Sequence, residues 1–371
     1  MDSAIERTQQ PGIGRIVPVP IAEHPQSIPV SIDELEQVRA NFLDPEYMVD
    51  QTYRLYRLDN RGKRMYVAVY EDGRFIIAPS VTTVESTCGP ASPHLIQWFK
   101  DHTAEYCAWY AECSKNYGTY FHVLTARILR HEPLYLDHSW LDADMGAFYQ
   151  QEGYDLVEGR RWIDHAERDL CKDVYGFLTW VKDYEISPVA IEYPIMDPDG
   201  MAAGTIDLVA WATFEEKDGR GKTAVITKKR KLIMVDYKSR LTGFYDTDGI
   251  QLQGYKPMWD KEHPELPVEE TWSFCCKAYR LPVGSTVTPY QFKKQDNPVH
   301  AALWGLWLQA FHVDPANMTI SPRTEFFGGE VTVDTDLSTV FVEVDPLGQL
   351  IEHETAMNQT AKSDKEGLFS A

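Results

Sequence analysis

The 371-residue sequence has little from which to build a cysteine-based site. Its six cysteines include one adjacent pair, Cys275 and Cys276, but no CxxC pair. Structural zinc sites and iron–sulfur clusters need closely spaced cysteine ligands. We therefore expect no zinc finger, no iron–sulfur cluster and no disulfide framework.

Positive charge is also scarce. Thirty-six Lys and Arg residues stand against 56 Asp and Glu residues, which gives a formal net charge of −20. Proteins that coat nucleic acid non-specifically depend on basic residues to neutralise phosphates. The composition excludes that class, and any contact with DNA must be local.

Long apolar runs and a nucleotide-binding loop are absent from the sequence as well. No 18-residue apolar stretch could span a bilayer. No GxxxxGK[ST] loop of a helicase motor occurs. The first fifteen residues lack the apolar core of an export signal and the basic amphipathic pattern of a transit peptide. We expect a cytoplasmic protein without a membrane segment or a motor of its own.

The remaining sequence predicts four regions. Residues 1–78 form an N-terminal arm, a short helix that starts at the capping box Ser31–Glu34, and a β-meander with strands at 53–58, 65–70 and 74–78. Residues 79–300 form the main core, 301–357 a helical and β addition, and 358–371 a flexible polar tail. One elaborated core with attachments fits this length.

Within the core, apolar periodicity predicts alternating helices and strands. Ser92 and Pro93 mark a helix start, a second helix follows Gly118, and a third runs from Arg161 to Tyr184. Strands are expected at 189–195, 205–214, 223–227, 231–239 and 271–281, with a helix at 250–259. This alternation predicts an α/β fold.

Charged residues follow a buried strand at KLIMVDYKS, residues 231–239. Side chains alternate along a strand, so Asp236 and Lys238 share one face. Burying them costs several kcal/mol unless they are paired or metal-bound. A structural salt bridge at the sheet edge is one interpretation, and a catalytic pair is the other.

Two further features lie on either side of this strand. Asp207 ends GTID inside an apolar run, and two carboxylates on neighbouring strands suit Mg²⁺ or Mn²⁺. Gly and Asp are also common at turns, so Asp207 can instead be interpreted as a hydrogen-bonded turn residue. Gln251 and Tyr255 share a helix face and could reach one substrate, or Tyr255 could pack in the core with Gln251 at its rim.

Taken in order, GTID, VDYK and QLQGY resemble the GxxD, (D/E)xK and QxxxY motifs of the RecB-like nucleases in the PD-(D/E)xK superfamily. GTYFH at 118–122 is similar to their GxxxH motif, and Glu192 stands where many members have a strand glutamate. PSVTT at 79–83, with Leu95 and Trp98, resembles phage-type members. The resemblance covers about residues 79–280.

This resemblance implies a restriction-endonuclease-like core, a mixed sheet flanked by helices, with terminal additions. It implies that His122, Asp207, Asp236 and the backbone carbonyl of Tyr237 bind one or two Mg²⁺ or Mn²⁺ ions. Lys238 would activate the attacking water and stabilise phosphate charge.

The remaining motif residues receive less direct roles. Gln251 and Tyr255 would position the DNA strand. Glu192 would support a ligand or pair with a lysine. A lone histidine such as His122 is otherwise more often a core residue.

The resemblance has two departures from parts of the family. The iron–sulfur subfamilies carry four cysteines, with a closely spaced group after QxxxY, where this sequence has only Cys275 and Cys276. Because this sequence has no GxxxxGK[ST] loop, any helicase motor must come from another chain or be absent. We therefore expect neither an iron–sulfur cluster nor motor activity.

Candidate contacts with partners lie in two segments. Seven basic residues occur between Lys217 and Lys231, and the run Lys228, Lys229, Arg230 and Lys231 either grips DNA phosphates or forms a solvated hairpin. Leu368 and Phe369 in the polar tail resemble peptides that dock onto sliding clamps, although the preferred interpretation is a frayed terminus.

The expected function is metal-dependent hydrolysis of DNA phosphodiesters, single- or double-stranded. We expect an exonuclease of replication, recombination or repair, of phage type, acting with a recombination or replication protein. Exonuclease rather than endonuclease rests on analogy with the family. The alternatives are a non-catalytic DNA-binding scaffold that retains the fold, and a nuclease for RNA or structured junctions.

Overall fold

A computed structural model of the protein describes residues 53–60, 63–132, 134–135, 137–151, 170–218, 225–240, 243–276, 287–320, 323–326, 341–345, 347–352 and 354–355. These residues fall into two compact units. The first lies within Gly89–Ile195 and Gly204–Leu306, and the second within Thr52–Cys88, Met196–Ala203 and Trp307–Ala371. The predicted helix at Ser31–Glu34 and the tail with Leu368 and Phe369 lie outside the described residues.

The second unit contains the predicted β-meander. Strands β1 (Tyr53–Asn60), β2 (Lys63–Tyr70) and β3 (Phe75–Pro79) form an antiparallel sheet in that order. Helix α1 (Val81–Cys88) follows, and β9 (Arg323–Phe326) pairs with β10 (Phe341–Val344). Tyr53, Tyr66 and Met196 are among the buried residues of its small core. The meander prediction is confirmed.

The first unit is built on a five-stranded mixed sheet. Its strands are β4 (Ser187–Met196), β5 (Ala203–Asp218), β6 (Val225–Tyr237), β7 (Glu270–Cys276) and β8 (Tyr290–Lys294), in the order β4-β5-β6-β7-β8. The β5–β6 and β7–β8 pairs are antiparallel, and β6–β7 is parallel. The protein is therefore α/β, with mixed and antiparallel sheets flanked by helices.

Within the described residues, the helices of this part of the chain are α2 (Pro93–Asp101), α3 (Ala104–Leu129), α4 (His138–Gln151), α5 (Leu170–Asp183), α6 (Asp246–Glu262) and α7 (Pro298–Val313). Helix α6 makes the crossover that a parallel β6–β7 pair requires. No helix in the described ranges combines the length and the apolarity that crossing a membrane demands.

The two faces of the sheet are covered by different helices. Phe177 and Trp180 of α5 pack their rings against Phe274 of β7. Gln253 of α6 donates to Thr271, which lies on the opposite face of β7 because strand side chains alternate. The core around Phe177, Trp180 and Phe274 is fully buried. It fixes the ends of β5 and β6 that carry the candidate site.

Three helix predictions can be compared with the structure. Ser92 does cap a helix with Pro93 at its first position. The prediction that a second helix starts after Gly118 was wrong, because α3 already begins at Ala104 and passes through this glycine. A glycine inside a long helix costs only about 1 kcal/mol, which the buried face of α3 offsets. The third helix is described from Leu170 onward, and its predicted start at Arg161 lies outside the described residues.

Where the structure describes the predicted strands, they were correct in position and wrong in one division; residues 223–224 and 277–281 lie outside the described residues. The segments 223–227 and 231–239 were predicted as separate strands, but β6 is continuous from Val225 to Tyr237. It pairs with β5 from Leu208↔Val235 to Asp218↔Val225. The basic residues between the two predicted segments are tolerated in the strand because the side chains of Lys228, Lys229 and Arg230 are exposed.

Candidate active site

The candidate site lies where the start of β5 is paired with the end of β6. Leu208 pairs with Val235, so the next residues along the two strands are Asp207 and Asp236. The backbone N–H of Tyr237 donates a 2.6 Å hydrogen bond to Asp207 Oδ2. The sheet register therefore brings together the two aspartates that the sequence placed on different strands.

Helix α3 and strand β4 add two more side chains to Asp207. His122 Nδ1 lies 3.1 Å from Glu192 Oε1 and 3.6 Å from Asp207 Oδ1. One potential ligand atom from each of His122, Glu192 and Asp207 lies within 4.8 Å of the other two. These three residues are defined here as the His122 cluster. It offers two carboxylates and one imidazole to a single point.

Glu192 reaches this cluster from an unusual backbone conformation. Its φ is 48° within strand β4, which places it in the left-handed region. A non-glycine residue pays about 1–3 kcal/mol for such a conformation and keeps it only where its surroundings enforce it. Strain of this kind is common at functional sites. The fold thus holds Glu192 beside His122 at an energetic cost.

The His122 cluster carries an excess of negative charge, because it holds two carboxylates and one imidazole. Burial by itself lowers the pKa of His122, but Asp207 and Glu192 outweigh it and raise this pKa to about 9. Burial and the charge of Glu192 raise the pKa of Asp207, against the opposing effect of His122. The cluster attracts a proton, and for the same Coulombic reason it would attract a metal cation.

Lys238 joins Asp236 to helix α6. Its Nζ donates to Asp236 Oδ1 and to Gln251 Oε1, both at 2.9 Å. Asp236 Oδ2 lies 2.8 Å from the same nitrogen but accepts no well-aligned hydrogen bond among the described residues. Since an ammonium group has three N–H donors, one donor of Lys238 is left for another acceptor.

Asp236 is the more deeply buried of the two site aspartates, with a side chain 5% exposed against 12% for Asp207. Burial raises the pKa of Asp236; Lys238 opposes that rise, and Asp207 adds to it. Burial lowers the pKa of Lys238, but Asp236, Asp248 and Asp207 together outweigh this effect and the net pKa is raised. The ion pair that the sequence allowed is therefore present, beside the His122 cluster.

The first residue of two motifs is a glycine that has no room for a side chain. A Cβ atom on Gly204, the glycine of GTID, would lie 2.6 Å from the ring of Tyr255, the tyrosine of QLQGY. A Cβ atom on Gly118, the glycine of GTYFH, would lie 2.8 Å from Ser239 Oγ, just after Lys238. Contacts shorter than 3.0 Å leave no room for a side chain. The motifs are thus packed against each other in three dimensions.

The structure assigns different surroundings to the other predicted residues. Tyr255 is only 5% exposed and covers Gly204, whereas Gln251 contacts Lys238 directly. Asp236 is not among the three residues of the His122 cluster, because its carboxylate is held by Lys238. The Tyr237 side chain packs in the aromatic core against Phe177, and the backbone N–H of Tyr237 donates a hydrogen bond to Asp207.

The basic run lies away from these side chains. Lys231 to Lys228 precede Asp236 by five to eight residues on β6, or about 17 to 26 Å at ~3.3 Å per residue. Lys228 pairs with Glu185 at 2.6 Å and Lys229 with Glu216 at 2.6 Å. The remaining partners are Glu216 and Glu270 for Lys231 and the ring of Trp211 for Arg230. The interpretation as a solvated hairpin with balancing acids fits these contacts.

Two site residues were missed in the sequence. The Asp248 carboxylate is 2% exposed and lies 3.9 Å from Lys238 Nζ. Arg240 donates to Asp248, as does the backbone N–H of Tyr245. The predicted helix began at residue 250, whereas α6 begins at Asp246. Two acidic residues just before the predicted start were the available signal, because acidic side chains favour the first turn of a helix.

The donor atoms fit a hard divalent cation. Carboxylates with an imidazole suit Mn²⁺ and, less well, Mg²⁺, which prefers oxygen alone. His122, Glu192 and Asp207 would hold the ion, and the buried Asp236 Oδ2 lies on the adjacent strand.

No family model matches the sequence, and no curated protein matches it.

Proposed function

We propose that the protein is a metal-dependent nuclease that hydrolyses DNA phosphodiester bonds with a PD-(D/E)xK core. The observation that carries the proposal is the His122 cluster beside the Asp236–Lys238 pair. Three ligand atoms lie within 4.8 Å of one another, and a partly buried ammonium, that of Lys238, lies just past the end of the neighbouring strand β6. A structural salt bridge needs only the second of these features.

A divalent cation bound by the cluster would supply charge neutralisation and an acidified water molecule. The protein's own residues then divide the remaining work. His122, Glu192 and Asp207 would fix the position of the ion, and the backbone N–H of Tyr237 holds Asp207 in place. Asp207 Oδ1 is left to face His122 Nδ1, 3.6 Å away.

Lys238 supplies positive charge where the phosphate gains negative charge. Two of its donors are fixed by Asp236 and Gln251, so the direction of the third is set by the structure. A preorganised donor in a partly buried site stabilises developing charge more strongly than one in water. This role needs the ammonium form, which the raised pKa of Lys238 provides.

The test is a cleavage assay on end-labelled substrates with Mn²⁺ or Mg²⁺. Single-stranded and double-stranded DNA and RNA, linear and circular, are compared for the wild type, Asp207→Asn and Asp173→Asn. Asp173 is a matched control because it is fully buried and accepts a 2.6 Å hydrogen bond from Tyr117 outside the site. We expect cleavage of linear DNA by the wild type and the control, and a loss of about 1000-fold or more in Asp207→Asn.

Each result has a defined meaning. Dependence on a free DNA end supports an exonuclease, and cleavage of circles supports an endonuclease. Cleavage of RNA alone would move the proposal to an RNA nuclease. Undiminished cleavage by Asp207→Asn would refute the site. Binding of DNA without cleavage of any substrate would leave a scaffold that retains the fold.

A further inference from the structure

Asp248 is a second buried acidic residue near Lys238. It lies in the first turn of α6, and its side chain is 2% exposed. Oδ2 accepts a 2.8 Å hydrogen bond from the Tyr245 N–H, and Oδ1 accepts from Arg240. Oδ1 also lies 3.9 Å from Lys238 Nζ. A carboxylate that merely caps a helix can do so in contact with water, so its burial needs another reason.

The neighbouring residue keeps Asp248 in this position. A Cβ atom on Gly249 would lie 2.0 Å from His300 Nδ1 of helix α7. The first turn of α6 is therefore packed against α7 without space for adjustment. Asp248 is fixed by packing as well as by its two donors.

Asp248 belongs to a chain of four alternating charged groups that runs through the site. Asp236 contacts Lys238 at 2.8 Å, Lys238 lies 3.9 Å from Asp248, and Asp248 binds Arg240. Arg240 also stacks on the ring of Tyr245, 4.4 Å from its centroid. The two acidic and two basic groups balance. Removing one buried member would leave the others uncompensated and free to move.

We propose that Asp248, held by Arg240 and by the Tyr245 N–H, is a positioning residue for Lys238. Asp248 lies on the α6 side of the ammonium, 3.9 Å from Nζ and beyond hydrogen-bond distance, and its charge helps to hold the ammonium between Asp236 and Gln251. This inference rests on the proposed nuclease function for its kinetic consequence. Its structural content, the position of the Lys238 ammonium, does not depend on that function.

A double-mutant cycle separates positioning from a structural role. Asp248→Asn keeps an oxygen for the Tyr245 N–H but removes the charge, and it is combined with Lys238→Gln. We expect Asp248→Asn to lower the single-turnover rate on end-labelled double-stranded DNA with Mn²⁺ by about 10- to 100-fold. The KM for DNA should change less than about 2-fold.

In the Lys238→Gln background the same substitution should cost less than about 2-fold, because residues that act through one another are not additive. An equal loss in both backgrounds would overturn the proposal. Asp260→Asn on α6 is the matched control, since Asp260 also accepts from a backbone N–H (Val268, 2.9 Å) and a basic side chain (Lys256, 2.6 Å). It should keep the wild-type rate within about 2-fold.

A second measurement needs no nuclease activity. In the ¹⁵N-lysine spectrum of the full chain, the held Lys238 ammonium should give a slowly exchanging signal, assigned by its loss in Lys238→Gln. This signal should broaden in Asp248→Asn, and in Arg240→Gln if the first variant fails to fold by circular dichroism. A signal unchanged in both variants would refute the inference even if DNA is cleaved. Broadened signals in a protein that cleaves nothing would refute the nuclease proposal alone.

Discussion

The two ends of strand β6 carry the same kinds of charged residue in opposite environments. At the beginning, Lys228 and Lys229 pair with Glu185 and Glu216 on side chains that are 37–60% exposed. At the end, Lys238 pairs with Asp236 on side chains that are 15% and 5% exposed. Exposed pairs of this kind contribute about 0–1 kcal/mol each, whereas buried charges cost several kcal/mol to desolvate. Burial, and not composition, distinguishes the candidate site.

The shifts in pKa follow the same division. At the exposed end, hydrogen bonds from Lys229 and Lys231 lower the pKa of Glu216, as expected for an ordinary ion pair. At the buried end, burial raises the pKa of Asp236 in spite of Lys238. A carboxylate that is disfavoured in its ionised form, and is nevertheless retained, is typical of a functional site.

The largest contrast is expected between Asp236→Asn and Glu216→Gln. The first removes the charged partner of Lys238, so cleavage of DNA with Mn²⁺ should fall by about 100- to 1000-fold. The second removes the acceptor of Lys229 and Lys231 at the exposed end, and the rate should stay within about 2-fold. Steady-state rates of the two purified variants measure the contrast. Similar losses in both would show that burial does not separate the two ends.

Glu192 allows ligand chemistry and backbone strain to be separated. Glu192→Gln and Glu192→Gly both remove a carboxylate of the His122 cluster, so calorimetry should show Mn²⁺ affinity reduced by about 10-fold or more in each. Only the glycine variant relieves the left-handed backbone, and it should be about 1 kcal/mol more stable than the glutamine variant in urea unfolding. Equal stabilities would argue against strain at this position.

The contact between Gly204 and Tyr255 predicts a conditional loss of stability. Gly204→Ala places a methyl group against the tyrosine ring and should lower the free energy of unfolding by about 1–3 kcal/mol. Adding Tyr255→Leu removes the ring atoms and should restore part of that loss, although the second substitution has a cost of its own. Denaturant titrations of the single and double variants test this coupling. Strict additivity would mean that the two motifs are not packed together.

The smallest effect is expected from neutralising the exposed basic run. In a variant with Lys228→Gln, Lys229→Gln and Arg230→Gln, stability should change by less than about 1 kcal/mol. The dependence of DNA affinity on salt should keep its slope, because these side chains lie about 20 to 26 Å from Asp236 and have acidic or aromatic neighbours. A slope reduced by about one for each charge removed would instead assign phosphate contacts to this run.

Much of the site was predictable from local sequence patterns. The apolar run before Asp236 forces β6 into the sheet, and alternation then puts Asp236 and Lys238 on one face, as their 2.8 Å contact confirms. The roles of Asp248 and Arg240 were not predictable, because they meet Lys238 only after α6 packs against the sheet. The sequence left open whether the basic run binds phosphates or forms a solvated hairpin, and only the structure shows that Lys228 pairs with Glu185, which precedes strand β4.

By itself the sequence determined the α/β alternation, the β-meander, and the identity and order of the motif residues. These depend on periodicity and on turn and capping residues, which act over a few positions. Only the tertiary structure decided that His122, Glu192 and Asp207 meet at one point, that Asp236 turns to Lys238, and that Gly204 lies under Tyr255. Such contacts join residues tens of positions apart, and their distances are set by helix packing and strand register, which local patterns do not contain.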